Sequence, residues 1–373
     1  AEMLAGDLVT GGWRSAQVRE ALDLCLACKA CASDCPVNVD LASYKAEFLY
    51  QHYRRRRRPR WHYALGALPL AARVAGWAPG PANRAAPLLA RLGGVSTARP
   101  LPRFVRYRPP AQAGGATSSL GPGGEVLLWP DCFTRSFDPQ VVHAAARVLT
   151  SAGFAVRLPR RTVCCGLTWF TTGQLDIARL VARRTLRVLR AELAAGVPVV
   201  GLEPSCVAAV RSDLAELLPN DPAAKRLATQ ARTLAEVLRG QAPDWQPTRR
   251  DRTAVQQVHC HQHAVLGHDA DDALLAVAGV RVRRASGCCG LAGSFGYQPG
   301  HEAISHALAE RSLAPAVRAS PEALVLADGF SCRLQVSQTT GRRALHLAEL
   351  LAGLDESGVE SGERSVHEPR DHR

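Results

Sequence analysis

At 373 residues, 47% hydrophobic and 21% charged, the chain has room for two or three domains with substantial cores. Its net charge of +13 is local: residues 51–124 hold thirteen arginines and neither Asp nor Glu, and the remainder sums to zero. A uniformly basic nucleic-acid-coating chain is thereby excluded, and no apolar run free of charge and proline reaches transmembrane length.

The opening AEMLAGDLVTGGWRS reads as the tail of a helix followed by a loop, so a chain cut from a longer one is expected. Next, SAQVREALDL is amphipathic and VDLASYKAEFLYQHY repeats apolar residues at helical spacing, which predicts helix, loop, helix over 15–53. The loop between them is CLACKACASDCP. Its Cys25, Cys28, Cys31 and Cys35 are spaced C-x₂-C-x₂-C-x₃-C-P, the run of a bacterial-type ferredoxin and not a zinc-finger spacing. Such a loop wraps a [4Fe–4S] cube. In two-cluster ferredoxins, however, the fourth cysteine serves a second cluster, and no second run occurs in the chain. Pro36 is expected to end the loop and open the following helix.

Arg54–Arg58 and Arg60 abut WHYALGALPLAARVAGW, where Pro69 predicts a kink and Gly66 and Gly76 weaken the helix. Trp61 and Trp77 beside arginines suit a bilayer interface, docking against another domain is a second reading, and a solvated charge run is the third. With no nucleic-acid motif nearby, no nucleic-acid partner is expected. AQAGGATSSLGPGG, 111–124, reads as a flexible linker, and 355–373 lacks any apolar period and reads as disordered.

Between linker and tail the chain repeats itself. Strand EVLLWPDC leads to Cys132, FAVRLP to Cys164-Cys165 and VPVVGLEPSC to Cys206; TAVQQVHC leads to Cys260, VRVRRASGCCG to Cys288-Cys289 and ALVLADGFSC to Cys332. Corresponding cysteines (132 and 260, 165 and 289, 206 and 332) lie 128, 124 and 126 residues apart. Each copy is a β-α-β-α-β succession, which predicts an α/β fold with a parallel sheet covered by helices. Ligands of such sheets sit at the carboxyl edge, where four thiols of each copy are expected to converge as a metal or redox site. His259, His261 and His263 in HCHQH offer further ligands or a solvated strand end. Adjacent cysteines and C-x₂-C spacing suit metal ligation in a reducing compartment, which points to the cytoplasm. GPGGEV precedes a strand, so it is not a phosphate loop.

The twofold C…CCG…C pattern resembles the cysteine-rich CCG domains of heterodisulfide reductase and of the iron–sulfur subunits of glycolate oxidase, anaerobic glycerol-3-phosphate dehydrogenase and L-lactate utilisation proteins. With VREALDLCLACKACASDCPVNVDLASYKAEF included, residues 1–350 resemble the C-terminal half of fused FAD/iron–sulfur oxidoreductases of the D-lactate and D-2-hydroxyglutarate dehydrogenase type. The resemblance implies five parts: a helical [4Fe–4S] domain at 1–53, a basic connecting segment at 54–124, CCG domains at 125–245 and 246–354, and a tail at 355–373. It also implies FAD on a missing domain or partner, and electrons passing from a 2-hydroxyacid through iron–sulfur centres to a quinone or another acceptor. Peripheral contact with the inner face of the cell membrane would follow. A heterodisulfide-reductase-like subunit with chemistry at the CCG site and a non-catalytic thiol redox module are the alternatives. The full CCG pattern ends C-x₂-C, but Glu203 and Gly329 stand at its penultimate cysteine here. A noncubane cluster, a cubane cluster, zinc and a plain dithiol thus stay open for Cys132, Cys164, Cys165 and Cys206, and for Cys260, Cys288, Cys289 and Cys332. Catalytic residues are not legible.

Overall fold

A computed structural model describes residues 3, 6, 9–112 and 123–356, so the expectations for 113–122 and 357–373 lie outside the described residues. Helix α1 (Ala16–Asp23) is capped by Ser15, whose Oγ accepts the Val18 amide at 3.3 Å. A one-turn helix α2 (Ala30–Asp34) lies inside the cysteine loop. Helix α3 (Leu41–His52) does not begin at Pro36 as expected. Asp40 decides its start, accepting the Ala42 and Ser43 amides at 2.9 and 3.1 Å, while Asn38 at φ +50° turns the chain just before it.

The basic segment forms α4 (Arg60–Gly66), α5 (Leu68–Ala75) and α6 (Pro79–Leu92). The kink expected at Pro69 is a full break, with Pro69 in the first turn of α5, where its missing N–H leaves no bond unmade. Helix α6 has no counterpart in the sequence reading; two prolines in its first turn and Pro87 inside it obscure the pattern.

The repeat builds two parallel sheets. The first comprises β1 (Glu125–Trp129), β2 (Ala155–Arg157), β3 (Val199–Gly201) and β4 (Ala231–Thr233), in the order β2-β1-β3-β4. The second has β5 (Thr253–Gln256), β6 (Arg281–Arg284) and β7 (Leu324–Leu326), in the order β6-β5-β7. Thus β1 and β5 are both central, flanked by equivalent strands. Registers such as Leu127 opposite Val199 and Ala254 opposite Leu324 are all parallel. Even β4 has a remnant in the second copy, where Leu345 bridges Leu326 beside β7. Each of these edges leads into a helix closed by a capping box, Thr233 with Glu236 and His346 with Glu349.

Alternation along β1 divides the core. Val126 and Leu128 face a layer of helices shared by both sheets, which also buries Ala254, Leu326 and Leu347. Leu127 and Trp129 face the opposite side with Val199 and Cys206, and Val255 and Val325 face the corresponding side of the second sheet with Cys289 and Cys332. Among the described residues no helix is long and apolar enough to cross a membrane.

Candidate metal centres

Every paired-repeat cysteine follows the carboxyl end of a strand, as the sequence predicts. Cys132 opens the helix Cys132–Phe137 and Cys206 lies in the first turn of Pro204–Arg211. Cys332 holds the matching place in Phe330–Thr340. Helix N-termini carry partial positive charge, which favours thiolate over thiol. The glycine of each CCG is obligatory for geometry: Gly166 and Gly290 sit at φ +83° and +84°, and a Cβ on Gly290 would come 2.2 Å from the Ser305 carbonyl oxygen.

In the first repeat, Cys132 hydrogen-bonds Cys164, Cys164 hydrogen-bonds Cys165, and the Cys165 and Cys206 sulfurs are 3.2 Å apart. Hydrogen bonds from Cys132 and Cys165 hold the Cys164 pKa well below the ordinary thiol value. The bond from Cys165 pulls Cys206 down, but burial together with the charges of Asp131, Glu203 and Cys164 outweighs it and pushes it up to about 12. The second repeat repeats the arrangement: Cys289 hydrogen-bonds Cys288 and Cys332, and Cys260 feels the charges of Cys288 and Cys289. Buried, mutually bonded thiols without a disulfide are a donor set suited to soft or borderline metals. Iron–sulfur binding fits this set.

The N-terminal loop is clamped onto both repeats. Lys29 Nζ, almost fully buried inside the cysteine run, pairs with Asp40 at 2.9 Å and with Asp213 at 2.5 Å. His301 reaches Asp23 at 2.9 Å from the second repeat. As a result Cys28 lies within electrostatic reach of Cys25, Cys31 and Cys288, and burial raises its pKa. Hydrogen bonds from the Val37, Val39 and Asn38 amides lower the pKa of Cys35.

A single cavity of about 720 Å³ joins these groups. Cys25 and Cys28, the first-repeat cysteines Cys132, Cys164, Cys165 and Cys206, and Cys260 all line it. Leu68, Leu70, Val74 and Leu89 of α5 and α6 roof it, so the basic segment turns its apolar side inward. Leu70, Val74 and Leu89 remain 53–62% exposed, which makes the mouth apolar.

Glu203 and Gly329, at the centre, were not assigned roles from sequence. Glu203, 2% exposed, accepts from the Ser205 hydroxyl at 2.9 Å and the Phe330 amide at 2.8 Å, and its Oε1 is 3.7 Å from His259 Nε2. Burial raises its pKa. At Gly329 a Cβ would fall 2.1 Å from the His259 ring. The two positions that depart from C-x₂-C therefore both meet His259. Burial lowers His259 to about 4, and burial together with neighbouring His259 and Lys29 lowers His261 to about 3, so both rings are neutral. His263 is exposed and faces Asp34 at 3.4 Å. A sequence signal existed for Lys29, a lone cation inside a cysteine run, but none distinguished His259 and His261 from His263.

The family model for the cysteine-rich CCG domain matches residues 126–211 and 267–337. Both stretches are similar to that domain, and they fall within the two sequence repeats. Beyond them, the chain is 28% identical over 355 residues to a D-2-hydroxyglutarate dehydrogenase of Pseudomonas putida, covering 90% of this chain and 34% of the relative. It is 28% identical over 241 residues to one of the subunits of the anaerobic glycerol-3-phosphate dehydrogenase of Escherichia coli, covering 61% of this chain and 58% of that one. Lactate utilization protein A 2 of Bacillus cereus is 22% identical over 61% of this chain and 98% of its own length. The chain thus spans about a third of the length of the D-2-hydroxyglutarate dehydrogenases it matches, and it is related to oxidoreductases along most of its own length.

Proposed function

We propose that this chain is the iron–sulfur electron-transfer portion of an FAD-linked 2-hydroxyacid dehydrogenase, passing electrons from a flavin on another domain or subunit to a quinone. The carrying observation is that Cys25 and Cys28 of the N-terminal run, the four cysteines of the first repeat and Cys260 of the second all line one cavity. Iron–sulfur clusters, when bound, supply one-electron steps between a two-electron donor and a two-electron acceptor. The residues proposed to hold them are Cys25, Cys28 and Cys31 with Cys35 in the N-terminal run, and the four cysteines of each CCG domain. The chain's own part is to fix spacing. Lys29 pins the N-terminal loop, α2 packs against the HCHQH segment, and Cys28 is brought into the field of Cys288.

An apolar mouth supports a lipophilic acceptor, and the exposed run Arg54–Arg57 beside it supports docking at an anionic membrane surface. The Val74→Trp variant, at the mouth, should slow reoxidation of the dithionite-reduced, anaerobically reconstituted chain by decylubiquinone several-fold. It should leave reoxidation by ferricyanide unchanged. Equal slowing of both oxidants, or of neither, counts against the quinone route. One observation favours a second reading: Cys132, Cys164 and Cys206 open directly onto the cavity, as a site reducing a disulfide substrate requires. Release of thiol from a disulfide by the reduced chain would select that reading.

A further inference from the structure

The two CCG domains differ at their first cysteine. In the first, Cys132 lies between Asp131 and Phe133; in the second, Cys260 lies between His259 and His261. Both histidines are buried, 3% and 7% exposed, and both line the cavity. Ligand atoms of His259, Cys260 and His261 all fall within 4.8 Å of one another. The Cys260 sulfur and His261 Nδ1 are 3.8 Å apart. Metal–nitrogen bonds of about 2.0–2.1 Å and metal–thiolate bonds of about 2.3 Å at a tetrahedral angle separate the two ligand atoms by about 3.6 Å. The pair is therefore spaced as two ligands of one metal, too far apart for a strong hydrogen bond.

His261 is also unsatisfied. Its Nε2 is buried with no hydrogen-bond partner among the described residues, so no hydrogen bond holds the ring from that side, and Nδ1, beside the Cys260 sulfur, is the nitrogen placed to ligate. His259 is better occupied, its Nδ1 accepting the His261 amide at 3.2 Å and its Nε2 facing Glu203. Its ring also fills the space that a side chain at Gly329, the position of the absent cysteine, would enter.

We propose that the metal centre of the second CCG domain is ligated through nitrogen as well as sulfur, with His261 as a ligand beside Cys260 and His259 as a positioning residue on the same face. This rests on the reading that the domain binds an iron–sulfur cluster. Its consequence is directional. Imidazole in place of thiolate removes negative charge from a cluster and raises its potential. Cys288 of the second domain lies within electrostatic reach of Cys28, so a cluster held there would be the better electron acceptor for one held by the N-terminal run.

The test uses the full chain, labelled with ¹⁵N-histidine, reconstituted anaerobically with iron and sulfide and reduced with dithionite. Pulsed EPR of the unsubstituted chain should detect directly bound ¹⁵N in a signal that Cys288→Ser abolishes. His261→Ala should lose that coupling, and His261→Cys should keep the cluster while shifting its potential downward in a redox titration. A Cys288-dependent signal without nitrogen coupling overturns the nitrogen ligand and leaves the electron-transfer reading intact. If Cys288→Ser removes neither iron nor signal, the second domain holds no cluster, and both fall. The measurement on the unsubstituted chain decides the matter even where a variant fails to fold.

Discussion

Gly329 shows how little space separates the two CCG domains' loops. Its φ of −71° suits any residue, so substitution there is limited by contact alone. A methyl group would meet the His259 ring at 2.1 Å, and overpacking of this kind costs about 1–3 kcal/mol. Gly329→Ala should lower the denaturant midpoint accordingly, whereas adding it to His259→Ala should cost almost nothing; additive losses would show that the two residues do not share this space. A second residue-scale prediction concerns His62 of α4, which burial and the charges of Arg58 and Lys45 lower from 6.5 to about 3. The unfolded chain takes up this proton near pH 6.5 and the folded chain does not. Stability is thus fully present above pH 6.5 and declines as pH falls towards 3, by up to about 1.4 kcal/mol per pH unit. His62→Phe preserves the edge contacts with Tyr53 and Trp61, and should flatten the pH dependence of unfolding by that slope. An unchanged slope between pH 3.5 and 6 would mean that His62 titrates alike in both states.

At the scale of elements, the arginine run divides in two. Arg58 donates to the carbonyls of Thr172 and Gly173 at 2.9 and 2.6 Å and stacks over Tyr53. It ties the start of the α4–α6 roof to the first CCG domain, while Arg54–Arg57 are exposed. Arg58→Met should therefore destabilise the protein by about 1.5–3 kcal/mol, the range for bonds involving a charged partner. Replacing Arg54–Arg57 by glutamine should change stability by no more than about 0.5 kcal/mol per site. The same four changes should instead weaken binding to anionic vesicles in a salt-dependent manner, by about 1 kcal/mol per arginine near the surface. Vesicle co-sedimentation indifferent to the four substitutions would remove the membrane role proposed for the run.

For the whole molecule, the decisive feature is that Cys28 of the N-terminal run sits beside the second CCG domain. Cys28→Ser should lower iron and sulfide per chain after anaerobic reconstitution by at least one cluster's content and alter the signal assigned to Cys288 as well. Unchanged iron and sulfide would sink the N-terminal assignment. Cys35, whose sulfur is held by neighbouring backbone amides, leads to a further expectation, since the fourth cysteine of such a run serves a second cluster. The chain alone should hold the N-terminal cluster poorly, and adding the flavin-bearing portion should restore iron binding together with dye reduction by a 2-hydroxyacid. A stable N-terminal cluster held by all four cysteines in the isolated chain would contradict it.

The sequence by itself determined the local chemistry. Cysteine spacing marked out the candidate metal-binding loop, and the 124–128-residue offset pointed to a duplicated parallel fold. Alternating apolar strands then carried each thiol to a carboxyl edge, because strand, loop and helix start are encoded by neighbours in the chain. The helix interruption at Pro69 was legible for the same reason, though as a kink rather than the full break observed. What only tertiary structure decided involves partners distant in sequence. Glu203, His259 and Gly329 meet from three loops, Lys29 finds Asp213, and a proline-bearing helix roofs a cavity shared by three cysteine groups. No periodicity records such contacts, since they depend on how two sheets pack across a common layer of helices. The three histidines of HCHQH make the distinction plain. They are equivalent as letters, yet burial against the cavity separates His259 and His261 from exposed His263.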